Sequence, residues 1–277
     1  ALVGVWSLEG WQWLFLLEGL PSVVLGVETW FFHNDTPDQA TWLDDEEKQT
    51  LKTMIAREQE HAVVHATTPR STLREVLTPA VLLYTLAYFC LTNTLSAINI
   101  WTPQILQSFN TGSSNIVIGL LAAIPQFCTI LGMIWWSRRS DRLKERKKHT
   151  ILPYLFAAAG WMLASATDHS LIQLLGIIMA STGSFTAMAI FWTTPDRVIS
   201  LQSRAVALAV INAIGNVGSA VSPLLIGILR DATGSFSSGL WFVAGLLVVG
   251  ALVLTRIPMT QRDQQRNDHV PEPHRQH

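Results

Sequence analysis

Long apolar stretches separated by short polar ones dominate the sequence. Residues 76–137 contain no Asp, Glu, Lys or Arg in 62 positions, and the segments 149–167, 169–195, 205–229 and 232–255 lack them over 19, 27, 25 and 24 positions. A helix of about 20 mostly apolar residues is long enough to cross the hydrocarbon core of a membrane. Because these stretches do not alternate between apolar and polar residues as barrel strands do, the pattern predicts membrane-spanning helices.

The longest apolar stretch is too long for one span, and polar, turn-forming residues at 107–115 divide it into two. The pattern therefore predicts seven spans, at 11–33, 77–106, 115–137, 150–167, 170–194, 205–229 and 236–257. The composition agrees, because 14% of the residues are charged and 49% are apolar, whereas roughly a quarter of a soluble domain is charged. A soluble enzyme, a disordered chain and a basic nucleic-acid-binding domain are thereby excluded.

Positive charge is concentrated on one side of the predicted membrane. If successive spans alternate in direction, the connections on one side contain 18 of the 19 Lys and Arg residues, and these connections are 34–76, 138–149, 195–204 and 256–277. The connections on the other side contain only Arg230. Because Lys and Arg accumulate in cytoplasmic loops, the first set, with the C-terminal tail, is predicted to be cytoplasmic.

The cytoplasmic segment 34–76 has a different composition from the spans. A charged helix is predicted from Asp44 to about Ala62, with an acidic first turn. Leu43, Leu51 and the adjacent Met54 and Ile55 form an apolar stripe along it, which predicts an amphipathic helix lying on a surface.

Polar residues within the spans are the main functional candidates, because such residues are costly to leave in lipid. In the sixth span Asn212, Gly215, Asn216 and Ser219 recur at the spacing that places them on one helical face. Two interpretations are open: the stripe packs closely against another helix, or its amides donate hydrogen bonds to an anionic substrate.

Further polar candidates occur in three other spans, and helix packing is the simpler interpretation of each. They are Tyr84, Tyr88, Asn93, Gln126, Ser184 and Thr186. The sequence contains no phosphate-binding glycine loop and no zinc-protease or serine-hydrolase motif, and Cys90 and Cys128 lie within spans as small hydrophobic residues. No enzymatic activity, metal site, disulfide or cofactor is therefore predicted.

The first span and its neighbours carry a family resemblance. Residues 10–27, GWQWLFLLEGLPSVVLGV, have the spacing W-x-W-x-F-x-x-E-G and lead into a WFF exit. With these residues the sequence resembles the second half of a major facilitator superfamily transporter, and more narrowly the anion:cation symporter family. The stretches YTLAYFCLTNTLSAINIWTPQILQSFN, PYLFAAAGWMLASATDH and MAIFWTTPD resemble the 4-hydroxyphenylacetate permeases within that family.

The resemblance implies an all-α membrane fold of twelve helices in two bundles, with substrate held between the bundles. Residues 1–33 would then be the last helix of the N-terminal bundle, 34–76 the central cytoplasmic loop, 77–257 the C-terminal six-helix bundle and 258–277 a cytoplasmic tail. Since the chain does not begin with Met, we expect it to be a fragment whose partner is the missing N-terminal helices of the same protein.

The resemblance also implies site residues. Helices seven, ten and eleven line the substrate site in related symporters, which corresponds here to Tyr88, to Ser184 and Thr186, and to Asn212 and Asn216. The superfamily's loop signature, which implies a charge-paired conformational latch, is matched at Asp141 and Arg142, whereas Ser137 and Lys144 replace its two glycines. An acid in so basic a loop is expected to be paired or to cap a helix.

The function implied is proton-coupled import of a small organic anion across a bacterial inner membrane by alternating access. An aromatic carboxylate such as 4-hydroxyphenylacetate is the first expectation for the substrate, with the proton as coupling ion and the lipid bilayer as surroundings. Three alternatives remain open: a transporter of another anion, such as a sugar acid or tartrate, a membrane receptor that binds a ligand without net flux, and an integral-membrane enzyme.

Overall fold

The structure is a computed structural model that describes residues 9–34, 36–64, 78–108, 115–143, 145–195, 198–199 and 203–257, with the backbone alone at 57–64 and 115–116. Within these ranges the chain is helical and has no strand. In chain order the α-helices are α1 (Gly10–Phe32), α2 (Asp45–Val64), α3 (Pro79–Ser108), α4 (Asn115–Leu143), α5 (Arg146–Ser165), α6 (Ser170–Phe191), α7 (Arg204–Gly215), α8 (Val217–Thr233) and α9 (Ser237–Arg256).

The chain forms two compact units, residues 1–66 and 67–277. In the first unit α1 is apolar on all sides, and none of its side chains is buried. A helix that is hydrophobic all round is suited to a membrane rather than to a soluble surface. The predicted loop residues 65–77 and the predicted tail 258–277 lie outside the described residues.

The charged helix α2 begins where the acidic cluster predicts. Asp44 accepts a hydrogen bond from the Glu47 amide at 2.7 Å, and the Glu47 carboxylate accepts one from the Asp44 amide at 3.2 Å. This reciprocal pair satisfies amides that the first helical turn leaves unpaired. Leu51, Met54 and Ile55 of the apolar stripe are exposed in this unit.

In the second unit α3 is the central helix. It packs against α6, α7, α8 and α9, and α5 packs against α6 and α9. The core is built from large fully buried side chains such as Tyr84, Tyr154, Trp161 and Phe191. Buried polar tips are paired across helices: the Tyr154 hydroxyl donates to the Ala87 carbonyl at 3.0 Å, and the Trp161 indole donates to Thr94 Oγ1 at 2.7 Å. An all-helical membrane fold is confirmed.

The prediction of seven spans differs from the structure at one helix. Among the described residues six helical segments are long and apolar enough to cross a membrane, with 204–233 taken as one segment. Helix α5 is not among them; its first turn contains Arg146, Lys147 and Lys148, and its apolar part is interrupted by Pro153, Tyr154 and Gly160. It is nevertheless packed into the same helical unit.

Candidate functional site

The sixth predicted span is broken at its centre. Helix α7 ends at Gly215 and α8 begins at Val217. At the break the Ser219 amide donates to the Asn216 carbonyl at 3.0 Å, whereas a continuous α-helix would pair it with Gly215. One turn later Pro223 has no N–H to donate to the Ser219 carbonyl. The backbone therefore releases two carbonyl groups, at Gly215 and Ser219.

Two hydroxyl groups of α3 donate hydrogen bonds to these released carbonyls. Thr92 Oγ1 donates to the Gly215 carbonyl at 2.6 Å, and Ser96 Oγ donates to the Ser219 carbonyl at 2.7 Å. Thr92 and Ser96 are four residues apart, so they lie on one face of α3. Gly218 permits the close approach, because a Cβ atom there would lie 2.6 Å from Thr92 Oγ1 and closer still to the Phe89 carbonyl.

The break presents an amide pair on the surface of the unit. Asn212 and Asn216 are both exposed, and Asn216 Nδ2 donates to the Asn212 carbonyl at 2.9 Å and to the Asn212 Oδ1 atom. Ser219 is on the same face and donates to the Asn216 carbonyl at 2.6 Å. Of the four residues predicted to share a face, Asn212 and Asn216 are exposed together and act as one hydrogen-bonded group, Ser219 is half-buried, and Gly215 is buried.

Aromatic side chains lie directly beside the amide pair. The Tyr88 ring stacks on Phe191 at a centroid distance of 5.3 Å and meets Trp192 edge-on at 4.8 Å, while Tyr84 meets Phe191 edge-on at 5.7 Å. The Tyr88 ring also lies against the backbone beside Asn216, because a Cβ atom added to Gly215 would overlap the Tyr88 Cδ1 atom. The structure thus brings Tyr84, Tyr88, Asn212 and Asn216 into one cluster, which we call the amide–aromatic cluster, with Phe191 and Trp192.

Phe191 and Trp192 were not among the predicted site residues. Their sequence position, at the end of an apolar run, looks like an interfacial anchor. The signal that could have identified them is the end of the helix. Thr193, Thr194 and Pro195 follow directly after the two aromatic residues and lie outside α6. Their stacking on Tyr88 is a contact between helices about 100 residues apart, which local spacing does not reveal.

The remaining predicted residues lie in other surroundings. Ser184 is buried and bonds Thr94 Oγ1 at 3.2 Å, in the network that includes Trp161. Asn93 is fully buried, and neither of its side-chain atoms has a hydrogen-bond partner. It lies nine residues from Tyr84, about half a turn around α3. Gln126 is exposed on α4, and Thr186 lines an apolar cleft with Oγ1 unpartnered.

The basic loop between α4 and α5 pairs its acid with a different cation from the one in the predicted latch. Asp141 forms an ion pair with Arg146, which also donates to Ser140 Oγ at 3.1 Å, while Arg142 is exposed. The expectation that the acid is paired is confirmed. Lys147 Nζ donates to the Thr255 and Ile257 carbonyls at 2.7 and 2.9 Å, so it caps the C-terminus of α9.

Comparison with known proteins shows the family. The model of the Major Facilitator Superfamily matches residues 1–223. A putative tartrate transporter of Agrobacterium vitis is 37% identical over 251 residues, which is 90% of this chain and 55% of that protein. A quinolone resistance transporter of Acinetobacter baumannii is 34% identical over 267 residues, 96% of this chain and 61% of that protein.

A third relative is the putative metabolite transport protein NicT of Pseudomonas putida, 28% identical over 256 residues, 92% of this chain and 57% of that protein. These relatives are named as transporters rather than enzymes, in agreement with the expectation from the sequence. The chain spans little more than half the length of the relatives it matches. With a family match over most of its residues and multiple membrane-spanning helices, this chain belongs to the major facilitator superfamily.

Proposed function

We propose that the chain is part of a secondary transporter for a small organic anion, and that the amide–aromatic cluster contacts that anion. The observation that carries the proposal is the exposed Asn212–Asn216 pair at the helix break, beside Tyr88. Discontinuous helices near the middle of the membrane commonly form substrate sites in transporters. Here the released carbonyls are bound by α3, and the exposed amides of Asn212 and Asn216 are the groups left to contact a substrate.

The chemistry of the cluster suits an anion with an apolar body. The amide Nδ2 group of Asn212 is an exposed donor, and that of Asn216 can exchange its bonds to Asn212 for bonds to a substrate. A carboxylate accepts such bonds as shorter, stronger charge-assisted bonds. The Trp192 ring, which is partly exposed beside the buried rings of Tyr88 and Phe191, offers a surface for edge-to-face or offset stacking. An aromatic carboxylate such as 4-hydroxyphenylacetate satisfies both requirements and is our first candidate.

A second candidate is a hydroxylated dicarboxylate, since two relatives at 37% and 36% identity are named putative tartrate transporters. The deciding experiment measures uptake of labelled 4-hydroxyphenylacetate and of labelled tartrate by cells expressing the full-length protein, each in competition with the other anion. We expect saturable uptake of the aromatic acid that excess tartrate inhibits poorly. Saturable uptake of tartrate that excess 4-hydroxyphenylacetate inhibits poorly would instead favour the second candidate.

Import coupled to protons is part of the proposal, in a bacterial inner membrane with the basic loops in the cytoplasm. Bacterial relatives and the 18 to 1 distribution of Lys and Arg support this orientation. Dissipating the proton gradient with an uncoupler should abolish accumulation of the labelled anion. Accumulation that survives the uncoupler would contradict symport while leaving the anion specificity standing.

The Asn212→Ala variant tests the role of the amide pair. It should weaken uptake of the anion with unchanged expression and membrane insertion, because Asn212 is exposed and its loss opens no cavity in the core. Leu224→Ala, at a 63% exposed position of α8, is the matched control and should transport normally. Normal uptake by Asn212→Ala would favour the other interpretation, in which the polar stripe of the sixth span serves helix packing.

A further inference from the structure

A cleft lies between α4 and α5, and none of its lining residues belongs to the amide–aromatic cluster. Its volume is about 360 Å³, with Trp135 and Trp136 on the α4 wall, Leu152 and Phe156 on the α5 wall, and Thr182 and Thr186 on the floor formed by α6. This volume lies within the range of about 300–1,000 Å³ usual for ligand pockets. The cleft is open, since Trp135, Leu152 and Phe156 are 61%, 49% and 45% exposed.

The lining of the cleft is almost wholly apolar, so an organic anion would leave its charge there without partners, at a high cost. A hydrocarbon chain has no such cost. The rim towards the basic loop is held by a contact between the two walls: the Trp136 indole donates to the His149 carbonyl at 2.9 Å, and the two rings lie 5.2 Å apart. Tryptophan with a bonded N–H is typical of the interface between hydrocarbon and headgroups.

Each wall of the cleft carries a cation one helical turn beyond its apolar lining. Arg139 follows Trp135 by four residues on α4, and Lys148 precedes Leu152 by four residues on α5, so each lies on the cleft face of its helix, about 5–6 Å further out. Both cations are exposed. Lys148 also pairs with Glu145 at 3.1 Å, an exposed pair that contributes little.

The charge around this rim is strongly positive. Residues 138–148 contain seven Lys and Arg against two acids, Asp141 and Glu145, and Asp141 is already paired with Arg146. We propose that the cleft binds one acyl chain of an anionic phospholipid from the leaflet on the side of the basic loop, with the lipid phosphate between Arg139 and Lys148. Basic residues at the mouth of a cleft between spanning helices suit an anionic headgroup.

Native mass spectrometry of the protein in detergent tests the headgroup contact. The probes are phosphatidylglycerol and phosphatidylcholine with identical acyl chains. We expect phosphatidylglycerol to bind more tightly, and each of Arg139→Gln and Lys148→Gln to weaken it about fivefold. Arg230→Gln, which removes one positive charge at the opposite end of the helices, should bind phosphatidylglycerol as the wild type does. Equal affinity of the wild type for the two lipids would overturn the proposal.

A second pair of variants tests the acyl chain in the cleft. Leu152→Trp fills the opening and should abolish the tight phosphatidylglycerol site, whereas Leu155→Trp is a matched control, because Leu155 is 42% exposed on the same helix but does not line the cleft. Glycerol 3-phosphate, which has the phosphate without the chain, should not compete. Wild-type binding by Leu152→Trp, or competition by glycerol 3-phosphate, would show that only the loop holds the lipid and would overturn the proposal.

Discussion

Thr92 of α3 donates its hydroxyl hydrogen to the carbonyl of Gly215, 123 residues away in the chain, at 2.6 Å. Its alternative acceptor within α3, the Phe89 carbonyl, is more distant at 3.2 Å. The contact satisfies a carbonyl that the break between α7 and α8 removes from the helical ladder. Since an unsatisfied backbone carbonyl is costly inside a membrane, Thr92 stabilises the break that positions Asn216.

Replacing Thr92 by Val keeps the side-chain shape and removes the donor. We expect a loss of about 1 kcal/mol in stability, the size typical of hydrogen bonds between membrane helices, with a lower melting temperature in detergent and slower anion uptake. Thr92→Ser should restore both. Thr85→Val is the control on the same helix, because Thr85 donates only within α3, to Val81 at 2.8 Å. Equal losses in the two Val variants would contradict the role of Thr92.

The Gly218→Ala variant tests the close approach of α3 and α8. Its methyl group would overlap the Phe89 carbonyl and Thr92 Oγ1, and overpacking of this kind costs about 1–3 kcal/mol. We expect a lower melting temperature and loss of uptake. Gly227→Ala lies in the same helix, with its nearest neighbour, Trp101, at 3.9 Å, and should be tolerated. A tolerated Gly218→Ala would mean that the two helices are less closely packed than described.

The Tyr88→Phe variant tests the hydroxyl of Tyr88 independently of its ring. The ring contacts with Phe191 and Trp192 remain, so the melting temperature should be unchanged. Loss of the hydroxyl beside Asn216 should raise KM for the anion about tenfold or more, the effect of one hydrogen bond to a charged group, with kcat less affected. An unchanged KM would remove the Tyr88 hydroxyl from the proposed site.

The ion pair between Asp141 and Arg146 offers a test of the latch. If this pair holds one access state, Arg146→Gln and Asp141→Asn should change the rate of uptake at saturating anion by similar factors. The double variant should then show no further change, because both single variants remove the same interaction. Arg142→Gln should have the smaller effect, since Arg142 is exposed and Asp141 pairs with Arg146. A larger effect at Arg142 would favour the latch predicted from the loop signature.

The helices and the shared face of Asn212 and Asn216 could be predicted because both depend on local periodicity. A membrane requires long apolar helices, and i, i+4 spacing fixes a helical face. The span predicted at 150–167 is covered by α5 as far as Ser165, and the basic first turn of α5 precedes it. The break at Gly215 could not be predicted in the same way, since it depends on hydroxyl donors from Thr92 and Ser96 in a distant helix.

The partner of Asp141 and the surroundings of the other polar candidates could not be predicted from the sequence either. A basic loop indicates that an acid has a partner, but it does not say which of the seven neighbouring cations pairs with it. Ser184 and Asn93 are both polar and both fully buried, yet of the two only Ser184 bonds another polar side chain. Such differences arise from the rotation of each helix against its neighbours, which a single sequence does not specify.

The most direct test of the proposed site is the KM for anion uptake by Asn212→Asp in the full-length protein. The variant keeps the size of the side chain, loses the Nδ2 donor and places a negative charge where the carboxylate is proposed to bind. We predict an unchanged melting temperature and a KM raised about tenfold or more, because juxtaposed like charges repel. Uptake by Asn212→Asp with the wild-type KM would contradict the claim that the amide pair binds the anion.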